Sequence, residues 1–357
     1  MSSSTRIIRL KAALAAFALV IAACSSGDDS TSIENTSSTQ AEMTTTSEAT
    51  QADTSRAAAA GDRAPLTGLP IEDVQNLDRP ALAVKIDNHP NARPQTALDQ
   101  ADLVFEARAE GVTRFMAVFH SQAPAPLGPV RSSRTSDFDL LRGLDTPLYS
   151  SSGGNDYVAN GLRSLPIIEV TAMSQLKYFR DGSRPAPHNL FTNAEDLFAL
   201  APADAGPPDP WFEYRVDGED VDSATAEPVE GPITVRYRGS PVVTHTWNSD
   251  VGGWSRTQDS RPHTSVAGDQ LAPENVVIMV ATYVTSAADS ASPELVSVGG
   301  GEVFVLTDGH LISGTWSRET ASDKPVLLDA DGDVIKLTPG RTWILFPETG
   351  QVTLPGS

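Results

Sequence analysis

At 357 residues and 37.8 kDa, with 39% hydrophobic and 20% charged residues, the chain has the length of two ordinary domains, and neither collagen-like repetition nor wholesale disorder fits it. Acidic residues outnumber basic ones 46 to 26, a formal charge of −20, which disfavours a grip on a phosphate backbone; nucleic acid is not an expected partner. The acidity is spread along the chain and argues for a hydrated, soluble surface.

The chain begins with Arg6, Arg9 and Lys11 and then an apolar run over 12–23, well short of the roughly 20 residues a membrane-spanning helix needs. Residues 1–23 read as a lipoprotein signal peptide, because Ile21-Ala22-Ala23-Cys24 follows the pattern of a bacterial lipobox, in which the thiol accepts a diacylglyceryl group. A cleaved secretory signal with an incidental cysteine and a retained membrane span are the competing readings. Cys24 is the only cysteine, so no disulfide within the chain and no thiolate metal site can form. Each buried CH₂ contributes about 0.8 kcal/mol, so two or three acyl chains such as palmitate would hold the mature protein to the bilayer, on the extracytoplasmic face of the cell membrane. Residues 24–63 are rich in Ser, Thr, Ala, Asp and Glu and offset too little ordering entropy to fold; they are expected to be a disordered tether.

Two patterned units follow, expected at 64–205 and 231–357, with a Pro-rich and acidic linker at 206–230. The first mixes periods. Strands are expected at 81–86, 103–107, 113–119, 147–150 and 167–170, and helices at 136–144, capped by Thr135 or Ser136, at 157–165 and at 194–200. The second reads as mostly antiparallel β: Ile233, Val235 and Tyr237 alternate with polar residues, as do Val243, His245 and Trp247. Its run 275–284 reads as one central strand, and the turns Asp308-Gly309, Asp331-Gly332 and Pro339-Gly340 predict a meander of hairpins. The expected fold class is α+β, an N-terminal α/β sandwich-type domain followed by a mostly antiparallel β domain.

The stretches Val84-Lys85-Ile86-Asp87-Asn88, Ala92-Arg93-Pro94-Gln95, Ala101-Asp102-Leu103-Val104-Phe105-Glu106, Glu110-Gly111-Val112-Thr113-Arg114-Phe115 and Gly128-Pro129-Val130-Arg131-Ser132-Ser133-Arg134 carry a resemblance to a known family. In the second unit it is carried by Trp247, Arg256, Pro262-His263, Asn275-Val276, Gly314-Thr315-Trp316 and Pro339-Gly340-Arg341-Thr342-Trp343-Ile344. The chain resembles the YerB-like lipoproteins, a bacterial family of paired N- and C-terminal domains of unknown function. The resemblance covers nearly all of 65–346 and implies a cell-envelope lipoprotein with no defined reaction.

The sharpest candidate site is the loop holding Arg131, Ser132, Ser133 and Arg134, because two guanidiniums, hydroxyls and the free N–H groups of a helix start suit a phosphate or carboxylate. Internal pairing of Arg131 or Arg134 with Glu106 or Glu110 is the alternative. A second loop with Ser152, Gly153 and Gly154 forms a possible anion nest, and the two loops are expected to face each other across a crevice. Asp87, His89 and Glu106, with Arg184 and His188 from a later loop, are candidates for its rim or for acid–base work; structural turn chemistry competes for the Asp87-Asn88 pair. No esterase elbow, zinc-protease helix or catalytic cysteine occurs in the sequence. No metal site and no cofactor are expected, and Asp329, Asp331 and Asp333 read as a hairpin turn rather than a calcium loop.

Two functions remain open. One is a membrane-anchored envelope lipoprotein that binds an anionic envelope component, a cell-wall polymer or an envelope protein. The alternative is a magnesium-dependent phosphotransferase or hydrolase acting on a lipid-linked glycan phosphate, with Arg131 and Arg134 on the phosphate and Asp87 or Glu106 on the metal.

Overall fold

The apolar runs Leu82–Ile86 (β1), Leu103–Arg108 (β2) and Thr113–Phe119 (β3) are buried on both faces almost throughout, the signature of strands inside a sheet covered on either side. They belong to a computed structural model that describes residues 63–71, 74–171, 177–216, 218–221, 224–239 and 241–356. The expected signal peptide 1–23, Cys24 and the tether, save Arg63, lie outside the described residues.

After β3 come Asp137–Arg142 (α1), Leu148–Ser151 (β4), Asp156–Leu162 (α2) and Ile168–Thr171 (β5), then Tyr178–Arg180 (β6), Leu190–Thr192 (β7) and Ala194–Phe198 (α3). Asn155 caps α2 by accepting a hydrogen bond from Val158 N at 3.0 Å. At α1 neither expected cap forms: Thr135 Oγ1 meets Ser286 Oγ at 2.8 Å, and Ser136 Oγ accepts from Leu295 N at 2.9 Å, both tertiary contacts.

The second half supplies Ala226–Pro228 (β8), Ile233–Arg236 (β9), Val242–Asn248 (β10), Gly253–Gln258 (β11), Arg261–Pro262 (β12), Asn275–Met279 (β13), Thr282–Ser286 (β14) and Asp289–Val296 (β15). Gly299–Thr307 (β16), His310–Arg318 (β17), Val326–Asp329 (β18), Thr342–Leu345 (β19) and Val352–Thr353 (β20) complete it. The molecule is mostly β, with few and short helices, so the helical share expected of the N-terminal unit shrinks to single turns or two.

Both halves build one 11-stranded sheet, in the order β18-β17-β16-β13-β19-β2-β3-β1-β4-β5, with β8 also on β17. Its joint is β19, parallel to β13 on one side and to β2 on the other, Trp343 lying opposite Val276 and Val104. The expected meander therefore covers β16, β17 and β18 only; the chain after Pro339-Gly340 crosses to the far side of β13 instead of turning back beside β18. The run 275–284 is likewise two strands: it breaks at Val280 and Ala281, whose N–H groups go to Glu302 O and Pro347 O, and β14 pairs with β15 in a separate ribbon. The expected linker is partly core, since Trp211 and Phe212 are buried and Trp211 meets Phe105 edge-on at 5.0 Å. The Asp329 turn forms as expected, its Oδ1 accepting from Asp331 N and Asp333 N.

One face of the sheet, through Phe105, Met116 and Val118, packs on α1 and α2. The other, through Val104, Phe115 and Trp343, packs on α3 and on the five-stranded sheet β12-β11-β10-β9-β20.

Candidate functional site

Strands β1 and β2 both run antiparallel to β3, and β4 runs parallel to β1, so the carboxyl ends of β1, β2 and β4 share one edge of the sheet. Ligand sites in such sheets form beyond that edge. β3 ends at the opposite edge, and the chain returns through bridges from Leu127 to Thr192, Gly128 to Thr96 and Val130 to Ile86. Arg131 N then reaches Lys85 O at 2.8 Å.

The two candidate loops lie side by side. Ser152 N donates to Arg131 O at 3.0 Å, Ser133 N donates to Gly153 O at 2.9 Å, and the hydroxyls of Ser132 and Ser152 are 3.1 Å apart. Gly153 sits at φ 91°, a conformation costly for other residues, which turns its carbonyl toward Ser133. The loops therefore do not face each other across a crevice as expected; together they form one wall of a cleft of about 310 Å³ whose other wall is the β14–β15 ribbon. The cleft is lined by Ser132, Arg134, Ser152, Gly154, Ser286 and Ser292 among others.

Arg134 lines this cleft but is not free. Its Nε and Nη2 donate to the two oxygens of Glu110 at 2.5 and 2.9 Å, and Arg114 Nη2 reaches the same carboxylate at 3.0 Å. Ser292 Oγ adds a hydrogen bond to it at 2.5 Å. Burial alone would raise the Glu110 carboxyl, but hydrogen bonds from Arg134 and Ser292 and the charges of both arginines outweigh it and hold it at about 2. Arg114 is lowered to about 10, by burial first and then by Arg134. Beneath them, Lys85 Nζ meets Asp137 Oδ1 at 2.5 Å, and Asp137 Oδ2 accepts from Arg134 N at 2.8 Å. Tyr149 Oη lies 2.9 Å from Ser133 Oγ, so the loop rests on a buried polar layer.

Arg131 turns away from the cleft and pairs with Asp87, its Nε 3.3 Å from Oδ2. The same buried carboxylate receives His188 Nδ1 at 2.6 Å and His89 N at 3.0 Å. The His89 and His188 rings stack with centroids 4.1 Å apart. Asp87, His89 and His188 thus come together, but away from the cleft whose rim they were expected to form, and Arg184 fastens their loop by donating to Ala92 O and Pro94 O at 2.8 and 3.0 Å. A histidine held at Nδ1 by a buried carboxylate presents Nε2 for proton transfer.

Glu106 is a correction. It does not reach the rim or the arginine loop but lies fully buried between the two sheets, where Arg256 Nη2 meets both its oxygens at 3.0 Å and Thr113 donates to it at 2.8 Å. Arg256 also donates to His263 Nδ1, whose Nε2 faces Gln95 Oε1 at 2.8 Å. Because a guanidinium only donates, His263 is the neutral Nε2–H tautomer, in keeping with a titration pushed far down by burial and then by Arg256. With their oxygens taken by protein donors, neither Asp87 nor Glu106 has the open carboxylate a magnesium ion needs. No group of three His, Cys, Asp or Glu placed to hold a metal occurs among the described residues.

Sequence reasoning missed the wall supplied by Ser286, Asp289 and Ser292. The sequence offers no signal at those residues, and only the packing of β14–β15 on the β2 end brings them to the cleft.

Residues 66–206 match the N-terminal domain, and 233–344 the C-terminal domain, of the family described as protein of unknown function DUF3048. The chain is 30% identical over 296 residues to the candidate lipoprotein YerB of Bacillus subtilis (strain 168), covering 79% of this chain and 85% of that protein. The crystal structure of the YerB protein from Bacillus subtilis superposes with a TM-score of 0.70 at 25% identity, over 82% of this chain and 99% of that one. Sequence, paired domains and fold agree: the chain belongs to the YerB-like DUF3048 family.

Proposed function

We propose that this protein is a lipoprotein moored through acylated Cys24 on the extracytoplasmic face of the cell membrane, and that its body binds an anionic envelope component in the cleft between the Arg134 and Ser152 loops on one side and the β14–β15 ribbon on the other. The description of YerB as a lipoprotein and the Ile21-Ala22-Ala23-Cys24 motif support the anchor. No helix among the described residues is long and apolar enough to cross a membrane.

One observation carries the binding reading: two guanidiniums, Arg114 and Arg134, share the single carboxylate of Glu110 at the cleft wall. Lys85 and Arg131 are each matched by their own partner, Asp137 and Asp87. The two guanidiniums, offset by Glu110 and by Asp289 at the rim, concentrate donors at the wall beside the hydroxyls of Ser132, Ser152, Ser286 and Ser292, a set that suits a phosphate or carboxylate with neighbouring hydroxyls, such as a wall polymer carries. Exposed Asp289 stands at the rim, its Oδ1 accepting from Ala291 N at 3.0 Å.

Titrating the soluble protein from residue 64 onward with polyprenyl pyrophosphate, with and without Mg²⁺, tests the reading. Saturable binding weakened tenfold or more by Arg134→Ala, with no phosphate released, is the expected result; binding untouched by that change refutes the site. Cys24→Ser in the full chain should move the protein from the membrane to the soluble fraction. The Asp87–His188 pair favours a second reading, acid–base catalysis on a glycan phosphate. Phosphate release that disappears in His188→Gln would establish it in place of simple binding.

A further inference from the structure

A second cavity, of about 480 Å³, lies away from the Arg134 cleft, between the 90–94 segment and the turn joining β11 to β12. Arg93, Gln258, Arg261 and His263 line it, and Pro90, Pro94 and Pro262 give it stiff apolar sides. Its volume falls within the range of small-molecule sites.

The polar groups here are mismatched in one direction. Gln258 Oε1 accepts from Arg256 Nη1 at 2.9 Å and from Asn88 Nδ2 at 3.3 Å, which fixes the orientation of the amide. Its Nε2 is consequently a donor, buried without an acceptor among the described residues in a residue only 3% exposed, so it adds to the positive potential behind the cavity wall without itself reaching the open space. Arg261 is exposed and makes no side-chain hydrogen bond or ion pair with a described residue. Arg93 spends Nε and Nη2 on Asn88 and leaves Nη1 3.6 Å from Asp259. Behind the wall, Arg256 is matched by Glu106. Arg93 and Arg261 therefore face Asp259 alone, which leaves the cavity positive in a chain of formal charge −20.

We propose that this cavity is an oxyanion site, taking a carboxylate or phosphate borne by a ligand of about sugar or dipeptide size. The Arg93 and Arg261 guanidiniums donate to the oxyanion, the Gln258 amide stands behind them in the wall, and the three prolines flank the body of the ligand. The inference is independent of the Arg134 cleft, with which it shares no lining residue.

The test is a ¹H–¹⁵N titration of the soluble protein with inorganic phosphate and, separately, with N-acetyl-alanyl-alanine, following the side-chain amide of Gln258 and the backbone of Thr264. The expected result is saturable movement of both signals with at least one probe, and a dissociation constant raised tenfold or more by Arg261→Ala, an exposed substitution that leaves the core intact. The probe that saturates identifies phosphate or carboxylate as the anion. Signals unmoved by both probes up to 10 mM, on the order of the weakest binding of interest, or affinity unchanged in Arg261→Ala, would overturn the proposal.

Discussion

Glu106→Gln is the perturbation whose size the structure fixes most closely. Glu106 on β2 and Arg256 on β11 both have fully buried side chains, and their two contacts at 3.0 Å join the large sheet to the five-stranded one. Arg256 is further sandwiched by Trp343 and Phe115, its guanidinium carbon 4.6 and 5.5 Å from their ring centres. Removing the carboxylate charge leaves a guanidinium in a fully buried site with only neutral acceptors, which costs about 3–5 kcal/mol. Arg256→Met leaves the complementary problem, a buried carboxylate held by Thr113 alone, and a similar loss of about 3–5 kcal/mol is expected. If the two residues act as one unit, the double variant loses no more than either single one, so a double-mutant cycle should give a coupling of about 3 kcal/mol, where independent sites would add. Urea unfolding of the soluble protein, followed by tryptophan fluorescence, measures all three. Single variants within about 1 kcal/mol of the parent, or strictly additive losses, would refute the assignment of this pair as the clamp between the sheets.

The Glu110 carboxyl is held at about 2 in the folded protein against an ordinary value of 4.5, so its contribution is complete above pH 4.5 and is lost as pH falls from there toward 2. The group is partly exposed, and after solvent screening the loss is about 1–2 kcal/mol; urea midpoints between pH 7 and pH 2.5 should fall less steeply in Glu110→Gln than in the parent. At Gly314 on β17 an added Cβ would lie 1.9 Å from Leu328 O on the paired strand β18. Gly314→Ala is expected to cost about 3 kcal/mol and to raise amide exchange in 326–329 before the rest of the sheet; unchanged exchange there would show that β18 shifts freely.

Local signals located most of the elements. β1, β2 and β3 were legible because consecutive apolar residues of strand length leave no helical face, and the Asp308-Gly309 turn was legible because both residues take φ > 0, at 46° and 73°, as a tight hairpin requires. The break inside 275–284 was not, since Val280 and Ala281 are apolar like their neighbours and leave the strand only to reach Glu302 and Pro347. The crossing of β19 was equally hidden: pairing partners lie far away in sequence, and a run such as Thr342–Leu345, buried on both faces, fits any central position.

The same division runs through the site. Residue chemistry alone marked the Arg131–Arg134 and Ser152–Gly154 loops, because guanidiniums, hydroxyls and glycines beside a helix start have an affinity for anions wherever they fold. It offered Glu106 or Glu110 to either arginine, which includes the Arg134–Glu110 pair that forms, but could not choose between them. A charge is neutralised by whichever opposite charge the packed chain brings within a few ångströms, and that depends on the path of 120–130 back across the sheet and on β11 lying over β2. These paths gave Glu110 to Arg134, Asp87 to Arg131 and Glu106 to Arg256, and only the assembled sheets made that allocation.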